Sequence, residues 1–261
     1  MFKIRQPVGR KTKLFLTIAV ALLMIAIWSA FSYTGMITQL ILPTPDSVVK
    51  AFIVLFEREL LVHFFWSFAR ISAGFILAIV VALPIGILMG SYPLVKHAIQ
   101  PFSEPLRYLP IAALIPLFLV WFGLGELMKI LFLFVGIVVY LLPLVVEAVE
   151  DVENVYLETA YTLKAKRWQT IRHVLIPGAS PLIFEAIRVM NGIGWTYVIL
   201  AEIINAPYGL GHLIIIAQKR SHTDQIFAGI VIILIIGFVS DRVIAKYNAR
   251  KFSWKEIPGK T

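Results

Sequence analysis

Polar side chains inside one long apolar stretch, residues 182–203, are the first candidates for chemistry in this sequence. On a helix that turns by about 100° per residue, four of them fall within an arc of roughly 60°: Arg188, Asn191, Trp195 and Glu202. Ionisable groups inside a membrane usually face a bundle interior or a wet cavity. The stripe therefore predicts a translocation path in which Arg188 attracts an anion. The alternative is that Arg188 pairs with Glu185 near the cytoplasmic edge, while Glu202 lies at the outer rim.

A second charged segment, residues 147–181, separates two apolar runs that are each long enough to cross a bilayer. Its first part is acidic, with Glu147, Glu150, Asp151 and Glu153, and its later part is basic, with Lys166, Arg167, Arg172 and His173. The pattern predicts two short helices that meet near residue 164, the second of which ends at Pro177. A charged, amphipathic knob on a membrane protein needs a soluble partner to press against, so the segment predicts an interface.

Several other kinds of chemistry are excluded by residue type and spacing. The chain has no cysteine, which rules out disulfides and thiol chemistry, and its five histidines lack metal-ligand spacing. Lys260-Thr261 looks like the end of a phosphate-binding loop, but Trp254 stands where the loop requires glycine. We therefore expect no ATPase and no enzyme active site in this chain, and no metal or cofactor.

The elements that must position these residues are transmembrane helices. Hydrophobic residues make up 59% of the 261 residues and charged residues only 15%, a composition typical of a membrane protein. Hydropathy predicts about six spans, near 14–31, 68–90, 107–122, 127–147, 182–203 and 226–244. The predicted fold class is an all-α integral membrane protein with a cytoplasmic helical insertion.

The distribution of basic residues predicts the orientation of these spans. With the N-terminus inside the cell, sixteen of the 24 Lys and Arg residues lie in cytoplasmic segments and four in outer ones. Such a bias is the usual signature of membrane topology, and it places both termini in the cytoplasm. It also explains the net charge of +9 without a nucleic-acid partner.

The chain divides into three predicted regions. Residues 1–67 contain a cytoplasmic segment, the first span and an amphipathic helix over 47–62, which would lie on the outer membrane face or dock a partner. Residues 68–245 form the main transmembrane domain, with the insertion's helices at about 154–177, and residues 246–261 form a basic cytoplasmic tail. The first span is longer than the apolar core of a signal peptide, so we expect it to be a retained helix.

The third span is unusual because Pro110 and Pro116 interrupt it. A broken backbone at membrane depth is tolerated where it is packed in protein or lines a cavity. The two prolines therefore predict either part of the translocation path or a simple packing kink. In the second span, Gly86 and Gly90 form a pair of small residues that permits close helix approach.

The charged insertion resembles the coupling motif of ABC importer permeases, the membrane subunits that work with a binding protein. In that family a Glu-Ala-Ala triplet is followed three residues later by Gly, and nine residues after that by Ile-x-Leu-Pro. This sequence has the same register: Glu158-Thr159-Ala160, then Lys164, then Val174-Leu175-Ile176-Pro177. Lys164 is the main departure, because glycine allows a turn with positive φ at low cost. Either the turn is built differently or Lys164 accepts strain.

The resemblance extends over roughly residues 40–245 and points to the nitrate/sulfonate/taurine branch of these permeases, which also includes bicarbonate importers. The segments that carry it are Leu42-Pro43-Thr44-Pro45, Leu119 to Glu126, Arg167-Trp168-Gln169-Thr170, Ala201-Glu202 and Tyr208-Gly209-Leu210-Gly211. It implies a bacterial inner-membrane location and transport of a small anion.

The resemblance also implies the partners. They are cytoplasmic ATPase subunits that bind ATP and Mg, a periplasmic or lipid-anchored binding protein, and a second permease copy, by default of the same chain. It assigns ATPase coupling to Glu158, Thr159, Ala160, Lys164, Arg167, Trp168 and Pro177. Glu158 would contact a basic group on the ATPase, or else cap or solvate a surface helix. The competing function is a stand-alone secondary transporter or channel, although no inverted repeat is visible in the sequence.

Overall fold

The computed structural model describes residues 9–57 and 60–254 as a set of α-helices joined by short connections. In chain order, the helices are α1 (Arg10–Tyr33), α2 (Pro45–Glu57), α3 (Leu60–Ser91), α4 (Pro93–Leu106), α5 (Ile115–Phe122), α6 (Glu126–Glu150), α7 (Asn154–Thr162), α8 (Arg167–Thr170), α9 (Ile176–Ile203), α10 (Leu210–Lys219) and α11 (Thr223–Lys251). A 3₁₀ turn at Ile111–Leu114 precedes α5, and a π-helical turn at Ile171–Leu175 joins α8 to α9.

Five helical stretches are long and apolar enough to cross a membrane: α1, α3, α6, the continuous stretch Arg167–Ile203, and α11. The first, second, fourth, fifth and sixth predicted spans lie within them. Their length follows from apolar runs of about twenty residues, since a helix rises 1.5 Å per residue across a core about 30 Å thick.

The third predicted span, 107–122, is broken, as its interruption by two prolines predicts. Only the 3₁₀ turn and α5, eight residues long, are helical there. Together with α4 they form one apolar stretch, bent by 87° at the break. Pro110 explains the break, because a helix rarely continues through the residue before a proline, and Pro116 lies in the first turn of α5, where proline is tolerated.

Helix α2 confirms the amphipathic helix after the first span, with a different end. Its buried side is formed by Val48, Ala51 and Leu55, which recur every three or four residues. The helix ends at Glu57, and Leu60 already belongs to α3, so the predicted extension to residue 62 is wrong. Arg58 and Glu59 lie outside the described residues.

The described chain falls into two compact units. One contains α1, α2 and residues 213–232, and the other contains residues 61–212 and 233–254. In the first unit, the Trp28 indole donates to the Pro43 carbonyl at 2.9 Å and the Thr223 hydroxyl donates to the Leu40 carbonyl at 2.5 Å. The predicted basic tail is seen only as far as residue 254, and most of the predicted N-terminal segment also lies outside the described residues.

The core of the second unit is formed by α3, α6 and α9. Its most buried members are small or branched residues, which permit close packing of helices: Ala78 and Ala82 from α3, Ile137, Leu141 and Val145 from α6, and Ala179, Ile183 and Ala186 from α9. Of these three helices, α9 carries the predicted polar stripe from Arg188 to Glu202.

Glycines on α3 bring that helix against α6. A Cβ added at Gly74 would lie 2.7 Å from the Leu133 Cβ, and one added at Gly90 would lie 2.7 Å from the Val149 Cβ. At Gly86 the added atom would lie 2.6 Å from a methyl of Val145. The close approach that Gly86 and Gly90 permit is therefore made with α6, along more than four turns of α3.

Candidate functional site

The charged insertion folds into the two short helices that its sequence predicts. Helix α6 ends at Glu150, α7 covers Asn154–Thr162, and α8 begins at Arg167. Pro177 does not end the second helix, which is a correction. From Arg167 the chain runs through the π-helical turn directly into α9, so α8 and the fifth span form one continuous stretch.

The π-helical turn explains how a proline is accommodated inside this stretch. The Ile176 N–H donates to the Ile171 carbonyl, five residues earlier, instead of to the residue four earlier. Pro177 then occupies the first turn of the regular helix α9, where its missing N–H costs little. The coupling segment, defined here as residues 151–177, is thus joined to a membrane span without a flexible break.

The turn between α7 and α8 has the geometry that glycine would favour. Lys164 has φ 58°, in the left-handed region. The Ala165 N–H donates to the Ala160 carbonyl at 3.0 Å, and the Lys164 N–H donates to the Tyr161 carbonyl at 2.9 Å. These two bonds define a Schellman motif, which satisfies the last carbonyls of α7. Of the two alternatives for this turn, the structure has the one in which Lys164 accepts strain.

The outer surface of the coupling segment exposes most of the predicted coupling residues. Glu158, Thr159, Lys164, Arg167, Trp168 and Pro177 are exposed, whereas Ala160 is buried. Large apolar side chains are exposed beside them: Tyr156, Tyr161, Leu163 and Trp168. Contiguous apolar surface rimmed by charges is typical of a protein-binding face. The assignment of individual coupling contacts stays a prediction.

A cavity of about 450 Å³ lies beneath the coupling segment. Its walls come from the last residues of α3 and α6 and from the inward faces of α7 and α8, with Tyr92, Glu150, Asn154, Tyr161 and Arg167 among them. Across the same end of the unit, Lys96 on α4 donates to Glu150 at 2.7 Å. The cavity therefore separates part of the coupling segment from the ends of α3 and α6.

The predicted polar stripe on α9 is neutralised within the chain. The Arg188 guanidinium donates to both carboxylate oxygens of Asp241, at 2.7 and 3.0 Å, and to Glu185 at 2.9 Å. Asn191 donates to the Ser240 hydroxyl at 2.8 Å. The pairing of Arg188 with Glu185 is thus present, and two carboxylates compensate the charge that was expected to attract an anion.

The other predicted pathway residues are distributed differently. Trp195 is buried and stacks on Phe64, with ring centroids 6.3 Å apart. Pro110, just before the 3₁₀ turn, and Pro116, in the first turn of α5, are both exposed. Their place in a translocation path stays a prediction.

Glu202 is the second-last residue of α9, at the end opposite the coupling segment, and its side chain is completely buried. The Arg70 guanidinium donates to it at 2.8 Å, the Ser67 hydroxyl at 2.7 Å and the Gly211 N–H at 2.9 Å. A carboxylate enclosed in this way is part of the framework of the unit, since a buried charge is tolerated only when it is paired and hydrogen-bonded.

Sequence reasoning missed the residues that surround Glu202. His63, Ser67 and Arg70 are spaced by four and three positions, so they share one face of α3. Each contacts the backbone of the turn after α9: the His63 Nδ1 accepts from the Gly209 N–H, the Ser67 hydroxyl accepts from the Leu210 N–H, and Arg70 donates to the Tyr208 carbonyl. The spacing of polar residues in an apolar helix was the available signal.

Gly209 is required by this arrangement. Its φ of 133° is rarely adopted by other residues, and an added Cβ would lie 2.4 Å from the Glu202 carboxylate. An added Cβ at Gly211 would lie 2.8 Å from the Glu202 Cβ. The segment Tyr208-Gly209-Leu210-Gly211 therefore fits closely over the buried carboxylate.

Comparison with known proteins identifies the family of this membrane subunit. The family described as "Binding-protein-dependent transport system inner membrane component" matches residues 82–253, which is well over half of the chain. The chain belongs to this family. It is therefore an ABC importer permease, an inner-membrane subunit that is not itself catalytic and that works with an ATPase and a binding protein.

Individual relatives extend over almost the whole permease. The taurine transport system permease protein TauC of Escherichia coli (strain K12) is 31% identical over 258 residues, covering 97% of this chain and 93% of the relative. The putative aliphatic sulfonates transport permease protein SsuC of Bacillus subtilis (strain 168) is 32% identical over 232 residues, covering 88% and 84%.

A solved structure shows the same fold. An inward-facing MetNI methionine ABC transporter matches with a TM-score of 0.60 at 21% identity, over 72% of this chain and 95% of that chain. The predicted all-α permease fold is thereby confirmed.

The strain at the coupling turn can be tested with Lys164→Gly. A left-handed conformation costs a non-glycine residue about 1–2 kcal/mol, part of which is offset by the greater freedom of glycine in the unfolded chain. We expect the variant permease to assemble normally and to gain up to about 1 kcal/mol of stability, measured by thermal unfolding in detergent. Lys246→Gly is the control, because it removes the same charge from an exposed position inside α11, where glycine costs a helix about 1 kcal/mol. Failure of Lys164→Gly to assemble would contradict the assignment.

The fit of the turn over Glu202 can be tested with Gly209→Ala. The added methyl group has no room and the backbone conformation is unfavourable for alanine, so we expect a loss of about 1–3 kcal/mol. Gly192→Ala on α9 is the matched control, because nothing lies within 4 Å of the added Cβ. The melting temperature of the solubilised permease should fall only for Gly209→Ala. Equal melting temperatures for the two variants would show that the turn is not tightly packed.

Proposed function

We propose that two copies of this chain form the membrane path of an ATP-driven importer for small organic anions of the sulfonate class. The support is the coverage of nearly the whole chain by a taurine permease and most of it by an aliphatic sulfonates permease. We place the importer in a bacterial inner membrane with both termini in the cytoplasm, on the basis of the sixteen basic residues on that side.

ATP and Mg are bound by the partner ATPase in this proposal, since Trp254 stands where a phosphate loop ending at Lys260-Thr261 requires glycine. The permease presents its coupling segment to that ATPase. The exposed apolar surface around Trp168 and Leu163 supports a docking role, because tryptophan is prominent among the residues that dominate binding energy at interfaces. The continuous helical stretch from Arg167 to Ile203 supports transmission of movement, because an unbroken helix is stiff.

Glu158 is the proposed contact with a basic group of the ATPase. It is exposed on α7, on the turn before the buried Ala160. Among the described residues, its carboxylate makes no ion pair. Its place in the middle of α7, five residues after the N-cap Glu153, does not favour a capping role. A charge at the rim of an interface fixes orientation and register more than it adds raw affinity.

Substrate selection is assigned chiefly to the binding protein. Arg188 is a weak candidate for the attraction of an anion within the permease, because Asp241 and Glu185 already compensate its charge. An anion that passes α9 would meet a locally neutral or acidic group there. The sulfonate class therefore rests on the relatives, with nitrate and bicarbonate as the other anions of this branch.

The coupling role can be tested with Glu158→Lys in the purified complex of permease, ATPase and binding protein. We expect loss of substrate-stimulated ATP hydrolysis, with folding and membrane insertion unchanged, because the charge reversal places like charges face to face across the interface. Glu153→Lys is the control, since it makes the same charge change on an exposed residue five positions earlier. Normal coupled turnover in Glu158→Lys, or an equal loss in both variants, would contradict the specific role of Glu158.

A further inference from the structure

A compact cluster of charges joins the first third of α3 to the start of α6 and the end of α9 in the second unit. Arg70 on α3 donates to both oxygens of Glu126, the first residue of α6, at 2.5 and 2.8 Å, and to Glu202, near the end of α9, at 2.8 Å. Lys129 donates to Glu126 at 2.8 Å. The cluster contains two positive and two negative groups, so it is neutral.

Because most of these groups are buried, water is not available to replace the bonds between them. Arg70 is 2% exposed, Lys129 is 3% exposed and Glu202 is fully buried, whereas Glu126 is 39% exposed. Arg70 uses four donor contacts in total, the fourth to the Tyr208 carbonyl. A planar guanidinium holds several acceptors in a fixed geometry, which a lysine at the same position would not reproduce. The cluster therefore fixes the relative positions of the three helices and of the turn after α9.

The same three helices are in close contact over the rest of their length. Gly74, Gly86 and Gly90 bring α3 against α6, and α6 and α9 share the buried core. At their other end, the coupling segment runs from α6 to α9. The stretch Arg167–Ile203 has 37 residues and is about 55 Å long at 1.5 Å per residue. The coupling segment and the charge cluster thus lie at opposite ends of one closely packed group of helices.

We propose that Arg70 and Glu202 are positioning residues for transport, which make the outer ends of α3, α6 and α9 move together with the coupling segment. When the ATPase displaces the coupling segment, residues 204–211 then move with it, because the three helices do not slide past one another. This inference rests on the proposed ATP-driven function, because it concerns how ATP hydrolysis is converted into movement of the path.

The alternative is that the cluster only stabilises the fold. In that case its loss lowers the amount of assembled complex, and ATP hydrolysis and solute uptake fall in the same proportion. The positioning role predicts a different result, because the ATPase still turns over against the coupling segment while the outer end no longer follows. The number of ATP molecules hydrolysed per solute imported separates the two roles.

The test uses the complex of permease, ATPase and binding protein in proteoliposomes, with taurine as the solute. Glu202→Gln keeps the shape of the side chain but removes the charge that pairs with Arg70. We expect the ATP-to-taurine ratio to rise about tenfold, the scale of a typical coupling free energy, while stimulated ATP hydrolysis per complex stays close to that of the parent. Asp46→Asn is the matched control, since it makes the same chemical change in the exposed Asp46–Lys50 pair and should leave the ratio unchanged.

Ser67→Ala provides a second variant if Glu202→Gln does not assemble. It removes one donor to Glu202 and the acceptor of the Leu210 N–H, but leaves both ion pairs of Arg70 in place. A smaller rise of the ratio in this variant also supports the proposal. A parallel fall of uptake and hydrolysis, with an unchanged ratio, overturns it. Absence of ATP-dependent taurine uptake in the parent complex would instead contradict the proposed function.

Discussion

The guanidinium of Arg70 has to be neutralised where it lies, because a charge among apolar helices is tolerated only with partners that satisfy it. The unit meets this constraint with carboxylates from two other helices and a carbonyl from the turn after α9. The positions of three helices therefore depend on one side chain. The close fit of Gly209 over Glu202 follows from the same constraint, because the enclosed carboxylate leaves no space for a Cβ.

In contrast to the buried charges around Arg70, the side chains of the coupling segment are largely exposed. Its predicted contact residues are mostly exposed, and its turn accepts the strain of a lysine with φ 58° to close α7 with a Schellman motif. Such a surface is stable alone but incomplete, since it leaves large apolar side chains such as Trp168 in water. The family to which the chain belongs supplies the missing component, because these permeases work with an ATPase. The permease thus has a rigid, internally satisfied end and an end that is built for a partner.

The sequence predicted those parts of the structure that depend on local pattern. Five spans follow from apolar length alone, and the charge pattern of residues 147–181 predicted the two short helices between the fourth and fifth spans. The end of the second coupling helix was mispredicted at Pro177, because a π-helical turn accommodates the proline in a way that local rules do not anticipate. Lysine is also a poor marker of positive φ, so residue type alone could not decide the geometry at Lys164.

The charge cluster could not be derived from the sequence because its partners are distant in the chain. Ser67 and Glu202 are 135 residues apart, and nothing local indicates that they meet. The spacing of His63, Ser67 and Arg70 predicts a polar face on a helix. The partner of that face is the backbone of a turn, which neither charge nor hydropathy of the sequence can indicate. Arg188 shows the reverse case, in which a readable polar stripe is satisfied by Asp241 within the chain.

The central claim is that this chain transports only as part of an ATP-driven complex. The most direct measurement is solute uptake by proteoliposomes that contain the permease with its ATPase, with the binding protein and taurine outside and the nucleotide inside. An ATP-driven importer takes up taurine only when both ATP hydrolysis and the binding protein are present, and its uptake is indifferent to a proton or sodium gradient. Uptake by the permease alone, driven by an ion gradient in the absence of ATP, would contradict this claim.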